Sequence, residues 1–310
     1  MNEEEKYLFD LRGYLVLPDA LDPQEVADVN TALDHHGVWE GENKLGYPLL
    51  KRYNPYLVNA GPLHTTARPV RNLISHPAVL PYLEELLGPD LRYDEGQVLY
   101  ARQGAGALIL HNGNTPWEYP PLTYQVRDGR IYGGHLIAAF CLTDALADQG
   151  GFAVVPGSHK SNFPPPEDFQ TWEKVGDWVS RVPVKAGTVV LFADTATHGS
   201  WPWVADFERR VVFCRYTAGM VQHSSPAPVP SDLPDAEWTP VERRLLRPPY
   251  AWHFQHDETG YAEKSRTSVR TEEGWVMDDH SGQIFDLTED KDTGTGTGTD
   301  KRTDAGSERG

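Results

Sequence analysis

From residue 97 to residue 217 the chain runs as short apolar segments separated by turn residues, and no helical pattern comes between them. The segments lie at 97–102, 107–111, 135–142, 152–155, 188–193 and 210–217, and they are rich in Val, Ile, Leu and Phe. Turn residues punctuate them, among them Asp128 and Gly129, Gln149 to Gly151, and Lys185 to Gly187. A doubly wound parallel sheet needs a helix of 10 or more residues, roughly, between successive strands, and this stretch has none. The pattern predicts a mainly β fold with flanking helices, in which two sheets pack on each other as a jelly roll.

The front end supplies the helices. A short strand over 14–18 follows the turn at Gly13, and Asp22 then caps a helix with Pro23 in its first turn and Val26, Val29 and Leu33 at helical spacing. A second helix is predicted over 77–87, ending at Gly88 and Pro89. These boundaries give a domain of residues 1–220. Five prolines break the chain between 222 and 240, and scattered aromatics (Tyr250, Trp252, Phe254, Trp275, Phe285) suggest a covering segment over 221–286. The Gly-Thr repeats of the tail, 287–310, are too polar to offset their ordering entropy and read as disordered.

The net charge of −17 belongs almost wholly to the body of the chain, because the tail holds six acids against four bases. Such a body repels phosphate backbones and anionic bilayers, which argues against nucleic-acid and membrane partners. The wholly apolar run at 136–142 is far shorter than the roughly 18 residues of a membrane helix. The acidic first ten residues do not resemble a secretory signal. Cys141 and Cys214, both in apolar runs, read as core thiols of a reducing compartment, so the expected location is cytoplasmic and the expected partner a small molecule. Nothing in the sequence sets an oligomeric state.

Common enzyme signatures are absent: there is no Gly-x-Ser-x-Gly, no phosphate-binding Gly-x-x-x-x-Gly-Lys and no Cys-x-x-Cys. Two of the twelve histidines stand out. His111 closes one apolar segment, and His198 follows another, opening the stretch Gly199 to Pro202 that reads as a loop. Imidazoles at the ends of distant strands can meet in the mouth of a small barrel and hold a divalent transition metal. Arg209, eleven residues after His198, enters the next strand, where a guanidinium can grip a carboxylate through two parallel hydrogen bonds. Strand alternation sends only one of Arg209 and Arg210 inward, and Arg210 stays open as the alternative.

Over residues 7–220 the chain resembles the phytanoyl-CoA dioxygenase family of iron(II)/2-oxoglutarate oxygenases. Four pieces carry the likeness: the front end from Gly13 to Pro18 with its helix, the run from Gly150 to Lys160, the run from Lys185 to Phe192 leading to His198, Gly199 and Ser200, and Arg209 at its distance from His198. The resemblance implies that His111 and His198 are metal ligands, that Arg209 binds the distal carboxylate of 2-oxoglutarate, and that Ser200 assists it. It also implies the double-stranded β-helix, a cupin-like jelly roll, and the reaction: O2 and 2-oxoglutarate are consumed, succinate and CO2 are released, and a C–H bond of a small organic substrate is hydroxylated.

One position departs from the pattern. The family carries His-x-Asp, and here the segment reads His111, Asn112, Gly113, so the expected carboxylate ligand is missing. Asp194, four residues before His198, is the nearest acid by sequence to replace it. Alternatively the position stays open, as in related oxygenases that place a halide on iron and chlorinate their substrate, or the metal is lost and the fold only binds a small molecule. For the substrate wall the sequence offers His135 at the head of an inner strand, and Trp117 and Tyr124 on the long loop after His111. Lys51, Arg52 and Tyr53 lie in a region where the family often contacts substrate or co-substrate. No Lys/Arg cluster suited to the phosphates of coenzyme A is present, so an acyl-CoA substrate is not assumed.

Overall fold

The computed structural model describes residues 1–35, 38–39, 49–112, 122–224, 234, 237–249, 268–271, 274–278 and 284–286, the side chains of 49–52 and of 268 onward excepted. Helix α1 (Glu3–Arg12) begins at Asn2, whose side chain accepts the Glu5 amide while Glu5 reaches back to the Asn2 amide, and it ends at Gly13 in the left-handed region. The Gly13 position allows no side chain, since a Cβ there would stand 2.5 Å from His159 Nδ1. Helix α2 (Pro23–Asp34) is capped by Asp22 as the sequence predicts, with Val29 and Leu33 buried. The second predicted helix starts later, at Leu80, because residues 76–79 form a turn in which the His76 carbonyl accepts the Val79 and Leu80 amides. It runs Leu80–Leu87 and stops at Gly88.

In chain order the strands are β1 (Tyr14–Leu17), β2 (Leu49–Asn54), β3 (Leu57–Gly61), β4 (Arg92–Ala101), β5 (Leu108–His111), β6 (Gln125–Arg127), β7 (Arg130–Tyr132), β8 (His135–Cys141), β9 (Gly151–Val154), β10 (Ser180–Arg181), β11 (Val189–Ala193), β12 (His198–Trp201) and β13 (Arg209–Thr217). Seven form one antiparallel sheet in the order β1-β11-β8-β13-β4-β3-β2, and four form a second in the order β10-β9-β12-β5. This is the predicted jelly roll. Two strands, β2 and β3, extend the larger sheet beyond the sequence-based expectation. The stretch after His198, read as a loop, is instead strand β12, paired on both edges. Its Gly-Ser-Trp-Pro composition resembles a turn, but ladder partners on β5 and β9 override that local preference.

Strand β8 shows why alternation is hidden in the central strands. Leu136, Ala138 and Phe140 pack outward with Phe9, Val29 and Leu83 under the helices, while Ile137, Ala139 and Cys141 face the barrel with Phe152, Phe192 and Val211. Both faces are covered, so the run is apolar throughout. Burying a side chain the size of Phe140 fully is worth about 1.5–3 kcal/mol.

The chain divides into two compact units, residues 1–253 with 258–261, and residues 254–257 with 262–310. The first therefore extends past the boundary expected at 220. The reason lies in the helix Pro240–Leu245, where Leu245 and Leu246 enter the core and Glu242 pairs with Arg68 at 3.0 Å. The second unit contains the antiparallel strands β14 (Ser268–Thr271), β15 (Gly274–Asp278) and β16 (Ile284–Asp286). The expected disordered tail lies outside the described residues, as do residues 225–233 and 235–236 of the proline-rich stretch. Among the described residues no helix is long and apolar enough to cross a membrane.

Candidate active site

His111 ends β5 and His198 begins β12, and the two are register partners across the smaller sheet. Their ring centroids lie 4.4 Å apart at 48°. Nδ1 of His111 contacts the Ile109 carbonyl at 2.9 Å, and Nδ1 of His198 contacts the Ala196 carbonyl at 2.8 Å. A carbonyl only accepts, so each Nδ1 carries the proton and each Nε2 keeps the lone pair that a metal requires. Burial, then the neighbouring His111, depresses the His198 pKa to about 3, with Asp194 opposing. His198 is thus a neutral imidazole at neutral pH.

Both rings line a cavity of about 310 Å³ between the two sheets. The cavity also holds Arg209, the first residue of β13, with Nη1 3.4 Å from the Ser200 hydroxyl. Arg209 is 5% exposed, its Nε has no hydrogen-bond partner, and no carboxylate of the described residues pairs with it. Burial lowers its pKa, yet a guanidinium stays charged. Arg210 points the other way, onto Glu208 at 2.7 Å and Asp34 at 2.7 Å.

Tyr53 and Ile109, both exposed, line the solvent side of the cavity, and buried Asn59 with Gln97, Leu108, Phe213 and Arg215 complete its wall. Arg215 pairs with Glu95 at 3.2 Å, and Gln97, in the amide orientation that satisfies both groups, accepts from its Nη2 at 2.9 Å. Sequence reasoning passed over Gln97, Asn59 and Arg215. A signal for Arg215 was present, since residues 209, 211, 213 and 215 share one face of β13.

The remaining expected residues divide. Asp194, four residues before His198, is buried and meets His135 Nδ1 at 3.2 Å. Burial would raise its carboxyl, but the His135 hydrogen bond and the charges of His135, His198 and Arg215 hold it well below the usual carboxylate range. Since His198 is neutral above pH about 3, the anion is stabilised at neutral pH by the His135 hydrogen bond and the Arg215 charge. His135 is fully buried at the head of β8 and does not line the cavity wall. Tyr124, expected on that wall, lies elsewhere: it donates to Asp10 at 2.5 Å and packs on His159, in a separate cleft. Its strong local partner Asp10 on α1 draws it there. Trp117 and Gly113 lie outside the described residues, and Asn112 is half-buried at the end of β5.

The arrangement fits a divalent metal with a keto acid beside it. Two imidazoles stand with their rings 4.4 Å apart on the cavity wall, and the buried Arg209 guanidinium, which costs several kcal/mol (roughly) unless matched by an anion, lines the same cavity.

The sequence pattern of the family described as phytanoyl-CoA dioxygenase matches residues 9–211. The ectoine dioxygenase of Nocardia farcinica is 19% identical over 266 residues, covering 78% of this chain and 87% of that protein. Among solved structures, HygX from Streptomyces hygroscopicus with nickel, 2-oxoglutarate and hygromycin B superposes with a TM-score of 0.62 at 22% identity, over 72% of this chain and 89% of HygX. The α-ketoglutarate-dependent carbocyclase SnoK of nogalamycin biosynthesis follows with a TM-score of 0.53 at 19% identity, over 73% and 88% of the two chains. The structural likenesses establish the fold. The family match spans most of the chain, its boundaries enclose His111, His198 and Arg209, and the chain therefore belongs to the phytanoyl-CoA dioxygenase family, the 2-oxoglutarate-dependent dioxygenase-type enzymes that work with iron.

Proposed function

We propose that this protein oxidises a C–H bond of a small polar organic molecule, by hydroxylation, at an iron(II) held through Nε2 of His111 and His198. Arg209, with the Ser200 hydroxyl beside it, grips the distal carboxylate of 2-oxoglutarate. The observation that carries this reading is the buried Arg209 guanidinium, which has no acid partner among the described residues and shares a cavity with the two imidazoles. When bound, iron(II) and 2-oxoglutarate supply the O2-dependent oxidation, with release of succinate and CO2.

The chain's own residues do the rest. The two backbone carbonyls fix the tautomer and rotation of the imidazoles. Phe152 and Phe192 pack around His198 and exclude water from that side. Asp194, held against His135, places a negative charge near His198 in the outer layer, which supports an outer-layer role in place of the ligand role suggested by its sequence position. In the cavity, Tyr53, Asn59, Gln97 and Arg215 offer hydrogen bonds to a polar substrate. The two buried free thiols support a cytoplasmic location.

A chlorinating variant of the same chemistry is favoured by one observation, the glycine at position 113, where the family carries a carboxylate. The two readings separate in one assay. Iron(II) and 2-oxoglutarate added without oxygen should give a weak visible charge-transfer band, and admission of O2 should release succinate. Absence of both would leave a binding protein on this fold. A chloride-dependent product would replace hydroxylation with halogenation. Ectoine and hygromycin B, the compounds named with two relatives, are the first substrates to try.

A further inference from the structure

A second set of ligand-type side chains lies outside the cavity just described. Asp94 on β4, His135 at the head of β8 and His223, six residues past β13, each offer one ligand atom within 4.8 Å of the other two. The fold gathers them through β13, which pairs with both β4 and β8. The ladder between β13 and β4 slips between Arg215 and Tyr216, whose partners are Glu95 and Tyr93, so Asp94 is the extra residue of a bulge. Bulges re-aim side chains, and this one turns a carboxylate onto the chain that leaves β13. Asp94 Oδ1 accepts the His223 amide at 3.0 Å, and Oδ2 accepts the Ser224 amide at 2.9 Å and the Ser224 hydroxyl at 2.5 Å. The returning segment lays the His223 ring against His135, with centroids 4.9 Å apart at 43°. That is close to the relation between His111 and His198, at 4.4 Å and 48°.

We propose that Asp94, His135 and His223 form a second site for a divalent transition metal of the zinc class, separate from the His111–His198 centre, and that the metal fastens the segment after β13 to the sheet. Two imidazoles and a carboxylate are a donor set suited to such an ion. His135 already has the outer partner that metal-binding histidines carry, because its Nδ1 meets the Asp194 carboxylate, the arrangement in which a histidine presents Nε2 to a cation. His223 is 39% exposed along its side chain, which gives the ion an entry path and a face for water.

The site must close from separations of at most 4.8 Å. Metal–ligand bonds of about 2.0–2.2 Å set ligand atoms roughly 3.4 Å apart at tetrahedral angles, and His223 Nδ1 stands 3.8 Å from Asp94 Oδ2. Oδ2 can give up the Ser224 hydroxyl, since that hydroxyl has a second acceptor in the Asp94 carbonyl at 3.0 Å. Arg92, buried and 3.0 Å from Oδ1, neutralises Asp94 on the opposite oxygen. Its charge opposes the incoming cation and lowers the affinity, while the acidic body draws cations toward the site.

The test is metal content of the full-length chain. Metal-free protein is equilibrated with excess zinc chloride, dialysed, and analysed for bound zinc, and thermal unfolding is followed with and without zinc. Wild type should hold two equivalents, and His223→Ala, an exposed change that leaves the core intact, should hold one. His198→Ala should also hold one, and zinc should still raise its melting temperature, an effect that the added His223→Ala change removes. Wild-type zinc content and an unchanged zinc-induced shift in His223→Ala would overturn the proposal. Zinc that disappears with His223→Ala but not with His198→Ala would support this site and count against the His111–His198 centre, so the two readings fail separately.

Discussion

His111 and His198 are built alike: each donates from Nδ1 to the carbonyl two residues before it in the chain, and the two strands pair so that the rings stand face to tilted face, 4.4 Å apart. Eighty-six residues of intervening chain are thereby reduced to one cross-strand step. Neither ring can rotate without breaking its carbonyl bond, so the pair is preorganised before any metal arrives.

That preorganisation gives the first prediction. His198→Ala removes one of two imidazoles from a centre with no third protein ligand among the described residues, and iron(II) affinity should fall by more than about 100-fold, beyond the loss usual for an outer partner. The charge-transfer band seen anaerobically with 2-oxoglutarate should vanish with it. A band of normal intensity in the variant would place the iron elsewhere.

Asp194→Asn separates an outer charge from a direct ligand. The amide can still meet His135, but the negative charge beside His198 is gone. Iron(II) affinity should drop by about 10–100-fold, the range for outer partners, with 2-oxoglutarate affinity little changed. A loss as complete as that of His198→Ala, measured by the same anaerobic titration, would make Asp194 a ligand.

The legible parts of this chain were those fixed by local pattern. The ends of apolar strands marked His111 and His198, and period-two alternation required Arg209 and Arg210 to part, as they do on opposite faces of β13. What stayed hidden depends on register between distant segments. Strand β12 carries turn-like residues and exists because two neighbours hold it. Asp94 looks like part of an ordinary polar turn in Tyr-Asp-Glu-Gly, and its bulge arises only from the partner strand. Tyr124 was misjudged for the same reason: its neighbour in sequence is the loop after His111, but its neighbour in space is Asp10 on α1.

Acid should weaken the metal-free fold through two buried histidines. Burial depresses His159 to about 4 and His198 to about 3, against roughly 6.5 in the unfolded chain. Between pH 6.5 and 4 the unfolded chain binds protons that the native state refuses, so stability is complete above 6.5 and falls as pH falls, by up to about 1.4 kcal/mol per pH unit for each group. His159 packs beneath Gly13 and against Tyr124, apart from the metal cavity, and is the cleaner reporter. His159→Gln should flatten the pH dependence of the urea midpoint by about half, where His198 supplies the rest. An unchanged slope would mean that His159 is protonated in the native state.

The same turn offers a backbone test. Gly13 has φ of 81° and no room for a methyl group, with His159 Nδ1 2.5 Å from where its Cβ would be. Gly13→Ala should therefore cost about 1–3 kcal/mol from backbone strain, and more if the ring must shift. Urea unfolding would show it as a lowered midpoint with an unchanged slope, whereas a neutral result would mean that α1 and the His159 turn can separate without cost.

Arg209 provides the sharpest division between binding co-substrate and filling space. Its guanidinium is buried with no acid partner among the described residues, so the carboxylate of 2-oxoglutarate would arrive as its counter-ion and make the pair complete. Breaking a buried pair costs about 3–5 kcal/mol, and each 1.4 kcal/mol (approximately) is tenfold in affinity. Arg209→Ala should thus weaken 2-oxoglutarate by more than about 100-fold. Arg209→Lys keeps the charge but loses the planar fork, and should fall between the two. Iron(II) affinity without 2-oxoglutarate should stay near wild type in both variants, because Arg209 touches neither imidazole. The stability readout runs opposite to the binding one: removing a lone buried cation relieves a desolvation cost, so Arg209→Ala should unfold no more easily than wild type when 2-oxoglutarate is absent, and should lose the stabilisation that 2-oxoglutarate with iron(II) gives the wild type. A variant that still binds 2-oxoglutarate normally by calorimetry would move the carboxylate to another cation, with Arg215 in the same cavity the first to change.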